Sequence, residues 1–231
     1  GPLKMTGKQA GWIYAMYPLG CIVAPLIGGQ IVDRWIATEW FLGGTHLVSG
    51  FLLLAAAHAV RFRWMLVLIG LHCLCFTPTL SLVNSLAFTH MVDPKVEYFR
   101  VRVWSSVAWV TVGWLLSAWR ASGKLQFRGI DALLLGAFFS FVMAVYCPLC
   151  LPHTPPAGGA DWAASWEPLC AMLGKGRVVL FFVLSLILST QLQFYYLGTA
   201  KFLEDIGCPR SSVPAAMTVA PAPLIWPPVQ V

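Results

Sequence analysis

The chain has 231 residues, of which 58% are hydrophobic and only 10% are charged, and its mean hydropathy is +0.75. Soluble globular domains carry about 25% charged residues, so 15 basic and 9 acidic side chains are too few to cover a soluble surface of this size. The composition also excludes disordered, collagen-like and disulfide-rich secreted proteins. It indicates an integral membrane protein, and at about 20 mostly apolar residues per span it leaves room for six or seven spans.

The net charge of +6 does not indicate a nucleic-acid-binding protein. The basic residues lie between apolar runs, as is ordinary in membrane proteins, and do not form one patch. Most of the seven cysteines lie inside apolar runs. Cys147-Pro-Leu-Cys150 looks like a redox or metal motif, but it has no second pair at zinc spacing, so we favour free thiols packed in the membrane. The five histidines show no ligand spacing, and we expect neither a metal site nor another cofactor.

Six complete apolar runs follow one another, at about 10–32, 40–60, 64–90, 101–119, 131–151 and 178–199. Each predicts a transmembrane helix, and the short connections make consecutive helices antiparallel neighbours in a bundle. The longest non-apolar segment runs from Pro152 to Arg177. A seventh run begins at 213, but four prolines within the last 11 residues exclude a regular helix. We interpret this end as cut or aberrant.

Three of the runs each carry one polar and aromatic stripe at helical spacing. The stripes are Thr77, Ser81, Asn84 and Phe88 in the third run, Arg102, Ser106, Trp109 and Gly113 in the fourth, and Ser185, Ser189, Gln193 and Tyr196 in the sixth. Polar side chains are costly at membrane depth and usually face a bundle interior or a water-filled cavity. The stripes therefore predict a solvated cavity for a small polar ligand that contains a ring.

Simpler interpretations of the same residues stay open. Serine and threonine stripes commonly serve helix packing, and Asn84 and Gln193 could equally form hydrogen bonds between helices. Arg102 begins its span, so its side chain could extend to the membrane interface. The tryptophans of the fourth run spiral around their helix and are mostly lipid-facing or interfacial. No hydrolytic or phosphate-binding motif is found, and we expect no enzyme.

Four segments make the sequence similar to a known family. They are 77–84 (Thr-Pro-Thr-Leu-Ser-Leu-Val-Asn), 99–106 (Phe-Arg-Val-Arg-Val-Trp-Ser-Ser), 151–155 (Leu-Pro-His-Thr-Pro) and 191–193 (Gln-Leu-Gln). Over about residues 5 to 219, the chain resembles the nucleoside:proton symporter family of the major facilitator superfamily. The resemblance implies an all-α integral membrane protein with twelve helices in two six-helix halves, which binds substrate between the halves and works by alternating access.

The resemblance also implies how the chain is divided. The six runs match helices two to seven of the family, with the first helix missing and the eighth broken off. Residues 1–151 then form most of the N-terminal half, residues 152–177 a central cytoplasmic loop, and residues 178–231 the truncated start of the C-terminal half. The turn Asp33-Arg34 resembles the loop between the second and third helices of the superfamily, which makes both residues candidates for gating. If the Asp33-Arg34 turn is cytoplasmic, as in the superfamily, the cytoplasmic loops contain fewer Lys and Arg residues than the loops on the opposite side. The positive-inside rule therefore favours the reverse orientation of the chain in the membrane.

The site residues implied by the resemblance lie on two helices. The family's arginine and small hydroxyl residue on the fifth helix are matched by Arg102 and Ser106, its aromatic residue by Trp109, and its glutamine on the seventh helix by Gln193. An amide three positions later in the family is replaced here by Tyr196. A nucleoside offers ribose hydroxyls and base edges to such polar groups, and a ring that stacks on an aromatic face.

The eighth helix departs from the family pattern, because a glutamine and a glutamate are expected where the chain reads Pro221-Ala222-Pro223. Proton coupling needs a carboxylate or histidine inside the membrane, and we identify no convincing one in the spans. We expect a fragment of a monomeric, proton-coupled nucleoside transporter that crosses the lipid bilayer of the cell membrane several times, the inner membrane in a Gram-negative bacterium. The alternatives are a carrier of another small polar metabolite and a non-transporting membrane binding or structural protein.

Overall fold

The computed structural model describes residues 5–122, 130–156, 158 and 167–219, apart from the side chains of residues 167–169, 189, 192, 193 and 219. Eight helices lie in these ranges. They are α1 (Gly7–Arg34), α2 (Thr38–Ala57), α3 (Phe62–His90), α4 (Pro94–Ala121), α5 (Asp131–Cys150), α6 (Glu167–Leu173), α7 (Gly176–Asp205) and α8 (Val213–Val219). The six long helices coincide with the six apolar runs, so the predicted helices are confirmed.

Four of the long helices, α1, α2, α3 and α5, have the length and hydropathy of membrane spans. Helix α4 differs because its first turns carry charged residues, among them Glu97, Arg100 and Arg102. In α7, the described apolar stretch is Gly176–Leu188. That α4 and α7 cross the membrane therefore remains a prediction from the sequence.

In the second half of the chain, one short helix differs from the hydropathy pattern, and the proline-rich end lies outside the described residues. The short helix α6 lies in the segment that the sequence indicates as a loop, because a helix of seven residues is too short to produce a recognisable apolar period. The seventh run begins as the short helix α8. The proline-rich end, including Pro221-Ala222-Pro223, lies outside the described residues.

Local sequence signals mark where α1 and α4 begin. Thr6 Oγ1 accepts a hydrogen bond from the backbone N–H of Gln9 at 3.3 Å, and Gln9 Oε1 accepts one from the backbone N–H of Thr6 at 3.0 Å. This reciprocal capping box satisfies two amides at the start of α1. Helix α4 begins with Pro94, and the Asp93 carboxylate caps it by accepting from the backbone N–H of Lys95 at 3.0 Å.

Close helix contacts in the first half depend on glycines. A Cβ added to Gly28 of α1 would lie 2.6 Å from Cβ of Pro78 in α3, and one added to Gly50 of α2 would lie 2.8 Å from Cε1 of Phe141 in α5. Small residues let membrane helices approach this closely. The buried core between these helices contains Val32, Leu42, Leu82, Leu86 and Cys147.

Helix α4 is attached to its neighbours at a few points. Every one of its residues is at least partly exposed. At its end, Arg120 forms a two-point ion pair with Asp131 at the start of α5, with Nε and Nη2 at 2.5 and 3.2 Å from the carboxylate oxygens. Ser117 Oγ accepts a hydrogen bond from the backbone N–H of Ala215 in α8 at 2.9 Å. Tyr195 of α7 donates to the Met217 carbonyl at 2.7 Å, so α8 contacts both α4 and α7.

All seven cysteines lie within the described ranges and are free thiols. Cys147 is buried in the core, whereas Cys150 is exposed one turn later. Both are free thiols, as the sequence analysis favoured, and their packing in the membrane stays a prediction.

Candidate functional site

A cavity of about 440 Å³ lies between α1, α2, α3 and α4. Its volume falls in the range of small-molecule sites. The polar side chains that line it are Tyr17 of α1, His46 of α2, Thr79 and Asn84 of α3, and Tyr98, Arg102 and Ser105 of α4. Of the residues in the predicted stripes, Asn84 and Arg102 are among the described lining residues.

Asn84 is held in place by contacts with α3 and α4, two of the four helices that border the cavity. Its Nδ2 donates to the Leu80 carbonyl at 2.9 Å, and its Oδ1 accepts from the Tyr98 hydroxyl of α4 at 3.3 Å. The Tyr98 ring stacks on Phe88 of α3, with centroids 4.7 Å apart and planes 18° apart. Asn84 therefore makes both kinds of contact that the sequence left open, an interhelical hydrogen bond and a place in the cavity wall.

Arg102 also lines this cavity, from α4, and is an exposed residue. The part of α4 that faces the cavity consists of Tyr98, Val101, Arg102 and Ser105. The predicted hydroxyl residue Ser106 is not among the described lining residues, and its neighbour Ser105 is. The spacing of residues along a helix tells which of them share a face. The direction in which that face points depends on how the helix packs.

Trp109 and Tyr196 are brought together, away from this lining. Their rings meet edge to face, with centroids 5.9 Å apart and planes at 66°, at a contact between α4 and α7. Tyr195 packs against Tyr196 in the same way at 5.5 Å. Gln193 belongs to α7, but its side chain lies outside the described residues. The predicted set is thus divided into Asn84 with Arg102 in the cavity, and Trp109 with Tyr196 beside it.

The candidate gating residues lie at the end of α1. Asp33 is exposed and Arg34 is half-buried in the last turn of the helix. The turn leads directly into α2, whose second residue, Glu39, is buried and has a side chain only 4% exposed.

Glu39 is the centre of a group of contacts that we call the clasp, formed by Thr38, Glu39, His90, His153 and Thr154. Glu39 Oε1 lies 2.5 Å from His153 Nδ1, and Glu39 Oε2 accepts from the backbone N–H of Thr154 at 3.1 Å. The Thr38 N–H donates to the Thr154 carbonyl at 3.2 Å, and His90 Nε2 lies 3.1 Å from Thr154 Oγ1. The clasp fixes the segment after α5 to the start of α2 and the end of α3.

Sequence reasoning missed two histidines that lie inside spans. His46 of α2 is buried, and its Nδ1 has no hydrogen-bond partner within the described part of the chain. His72 Nδ1 of α3 lies 2.7 Å from Ser49 Oγ. The Phe76 ring lies between the two, stacked on His72 at 5.6 Å and edge-on to His46 at 6.3 Å. Their position inside apolar runs was a usable signal, although each is a single polar residue without metal-ligand spacing.

Comparison with known proteins gives one consistent result. A family described as Nucleoside H+ symporter matches residues 2–221. The nucleoside permease NupG of Escherichia coli K12 is 24% identical over 216 residues, which cover 88% of this chain and 49% of NupG. The xanthosine permease of the same organism is 25% identical over 212 residues, with 88% and 49% covered. The chain therefore spans about half the length of the curated relatives it matches.

The fold is also that of a solved transporter. A crystal structure of a mutant of the nucleoside transporter NupG superimposes with a TM-score of 0.75 at 21% sequence identity. The match covers 94% of this chain and 56% of the other. The all-α, major-facilitator-type fold predicted from the sequence is confirmed by this likeness.

Proposed function

The chain belongs to the nucleoside H+ symporter family, and we propose that it serves proton-coupled nucleoside transport by alternating access, within a carrier of the length of its relatives. The observation that carries this proposal is the cavity bounded by α1, α2, α3 and α4, which both Asn84 and Arg102 line. Binding sites of transporters form near the bilayer midplane, between helices that surround a polar cavity. The arrangement supports a substrate that is small, neutral and rich in hydrogen-bonding groups.

The cavity residues suit a nucleoside chemically. The Arg102 guanidinium presents N–H donors and no acceptor, which fits ribose hydroxyl and base carbonyl oxygens. Asn84 keeps one amide hydrogen and an oxygen lone pair beyond its contacts with Leu80 and Tyr98. Aromatic walls at Tyr17 and Phe76 offer faces for a flat base.

Trp109 and Tyr196 are proposed to extend the site towards the second half of the carrier. They join α4 to α7, which are the fifth and seventh helices in the family frame. In that frame, residues 1–151 belong to the N-terminal half, 152–177 to the central cytoplasmic loop and 178–231 to the start of the C-terminal half. A contact between α4 and α7 is then a contact between the halves, where alternating access requires movement.

The clasp supports a role for the segment after α5 in holding the N-terminal half together. It connects α2, α3 and the beginning of the proposed loop through the Glu39 carboxylate. Asp33 and Arg34 precede it by a few residues, which supports the proposal that this end of the bundle takes part in gating. We further propose that the carrier is a monomer that crosses the cell membrane several times, which is the inner membrane in a Gram-negative bacterium.

The proposal is tested with the full-length carrier that contains this sequence, purified and reconstituted in liposomes. Uptake of radiolabelled uridine is measured with and without an inward proton gradient, with other nucleosides and unrelated polar metabolites as competitors. We expect accumulation that depends on the gradient and is inhibited by nucleosides only. Uptake equal to that of protein-free liposomes under every condition contradicts the proposal.

A further inference from the structure

His46 occupies a position shared by two cavities. It lines the cavity of about 440 Å³ between α1 and α4, and also a second cavity of about 390 Å³ bounded by α2, α3 and α5. Its residue surface is only 8% exposed, and Nδ1 has no hydrogen-bond partner among the described residues. The ring is therefore buried beside two cavities, and its enclosed Nδ1 has no partner among the described residues.

The depth of His46 makes this unusual. It is the ninth residue of α2, which places it about 12 Å along a 20-residue helix at about 1.5 Å per residue. Buried polar atoms almost always have a hydrogen-bond partner, and ionisable side chains inside membrane spans are costly unless they serve a function. We therefore expect an imidazole without a partner for one of its nitrogens to bind a ligand at this position, and a proton is the smallest candidate.

The groups that face His46 decide whether its ring can hold a positive charge. The titratable or charged side chains lining the two cavities with it are Tyr17 from α1, His72 from α3, and Tyr98 and Arg102 from α4. The described lining residues of α5 are Gly136, Phe139, Ser140 and Met143, which do not titrate. The described lining residues of the two cavities include no carboxylate, so a positive charge on the buried ring is costly unless a bound group accepts its hydrogen bonds.

The two histidines are not equivalent. His72 Nδ1 is engaged with Ser49 Oγ at 2.7 Å, and its ring is stacked on Phe76. His46 meets the same Phe76 only edge-on and keeps Nδ1 free of partners among the described residues. His46 is therefore the histidine that can change its hydrogen bonding without breaking a contact already made.

We propose that His46 is a proton-binding residue of the carrier, and that its protonation is linked to substrate binding in the cavity between α1 and α4. This inference rests on the proposed function. The proton enters from water and adds to the lone pair of the unprotonated ring nitrogen, and the imidazolium then donates from both nitrogens. A substrate hydroxyl or carbonyl oxygen that accepts a hydrogen bond from the ring stabilises this charge.

Linkage makes this a coupling mechanism. If bound substrate raises the proton affinity of His46 by some factor, then the proton raises the substrate affinity by the same factor. Without substrate, burial beside cavities with no described carboxylate disfavours a charged ring. Substrate and proton therefore occupy the cavity together and leave it together, which is what symport requires.

The test compares two assays on the full-length carrier in liposomes with His46→Gln. Glutamine keeps a hydrogen-bonding amide at this position but cannot bind a proton. Counterflow of uridine without a proton gradient measures binding and movement of the substrate, whereas accumulation driven by an inward gradient measures coupling. We expect His46→Gln to lower accumulation about tenfold more than it lowers counterflow, a typical size of coupling between two sites.

Two further variants make the result decisive. His58→Gln changes an exposed histidine at the end of α2, which contacts the Leu54 carbonyl, and we expect both assays to stay as in wild type. His46→Asn repeats the main test with a shorter amide and should give the same split. Full coupling in His46→Gln overturns the inference, and so does joint loss of counterflow and accumulation in both His46 variants. A wild-type carrier that shows neither activity overturns the proposed function and this inference with it.

Discussion

The hydroxyl of Tyr98 on α4 lies 3.3 Å from the side-chain oxygen of Asn84 on α3 and donates a hydrogen bond to it across one corner of the cavity. The bond joins two helices that otherwise touch little, and it orients an amide in the wall of the cavity. Stacking of the Tyr98 ring on Phe88 places the hydroxyl for this contact. The polar wall is thus fixed before any substrate binds, which lowers the entropic cost of binding.

Tyr98→Phe tests this arrangement. The variant keeps the ring on Phe88 and removes only the hydroxyl, whose hydrogen bond contributes about 0.5–1.5 kcal/mol. We expect the Kd for uridine to rise by about two- to tenfold, measured by equilibrium binding to the purified full-length carrier. Tyr14→Phe, at an exposed position of α1, serves as the control. Equal Kd values for Tyr98→Phe and wild type would contradict the role given to this hydrogen bond.

Arg102 is predicted to be needed for uptake. Arg102→Ala removes the cationic donors from the cavity and should abolish nucleoside uptake. Arg102→Lys keeps the charge but not the planar fork of donors, and should restore little. Arg100→Ala is the matched control, because Arg100 is exposed and lies on another face of α4. Unchanged KM and maximal rate in Arg102→Ala would mean that this side chain only extends to the membrane interface.

Glu39→Gln tests the clasp. The variant replaces a buried carboxylate that accepts from His153 and from the Thr154 N–H, and the amide cannot make an ion pair with His153. We expect a loss of about 1–3 kcal/mol of stability, seen as a lower unfolding midpoint in detergent and faster proteolysis of the segment after α5. Asp205→Asn is the comparison, because Asp205 forms an exposed ion pair with Lys201 in α7. A midpoint lowered equally by both variants would remove the special role of the clasp.

The close approach of α1 and α3 is tested by two neighbouring glycines. Gly28→Ala places a Cβ 2.6 Å from Cβ of Pro78, whereas Gly29→Ala meets nothing within 4 Å. Overpacking costs about 1–3 kcal/mol, so the Gly28 variant should unfold at a lower temperature. The Gly29 variant should be neutral or more stable by about 0.5–1 kcal/mol, because alanine favours a helix over glycine. The reverse order of midpoints would show that α1 and α3 do not pack through Gly28.

The sequence predicts the helices well and the site only in part, for physical reasons. An apolar run of about 20 residues in a membrane forms a helix, because a helix satisfies its own backbone hydrogen bonds. Each of the six long helices therefore contains one of the six apolar runs, or most of it. The stripes identify Asn84 and Arg102, because several polar residues at helical spacing define a face. The period does not tell which neighbour that face meets, which is why Ser105 lines the cavity and not Ser106, and why Trp109 meets Tyr196.

The residues that the sequence analysis missed are polar side chains within apolar surroundings. Glu39, His46 and Ser49 of α2 lie at helical spacing on one buried face, but this spacing does not tell which groups that face meets. Their partners are distant in sequence: Glu39 contacts His153, and His46 shares its cavity with Arg102. Only the packing of five helices brings these groups together, and a single sequence does not contain that information.

The most direct test of nucleoside–proton symport is the movement of protons themselves. Uridine is added to lightly buffered liposomes that contain the full-length carrier, and the external pH is recorded without an imposed gradient. The account predicts that the external solution becomes more alkaline as protons enter with uridine, and that Arg102→Ala gives no such change. Uridine uptake by the wild-type carrier with no change in external pH would contradict it.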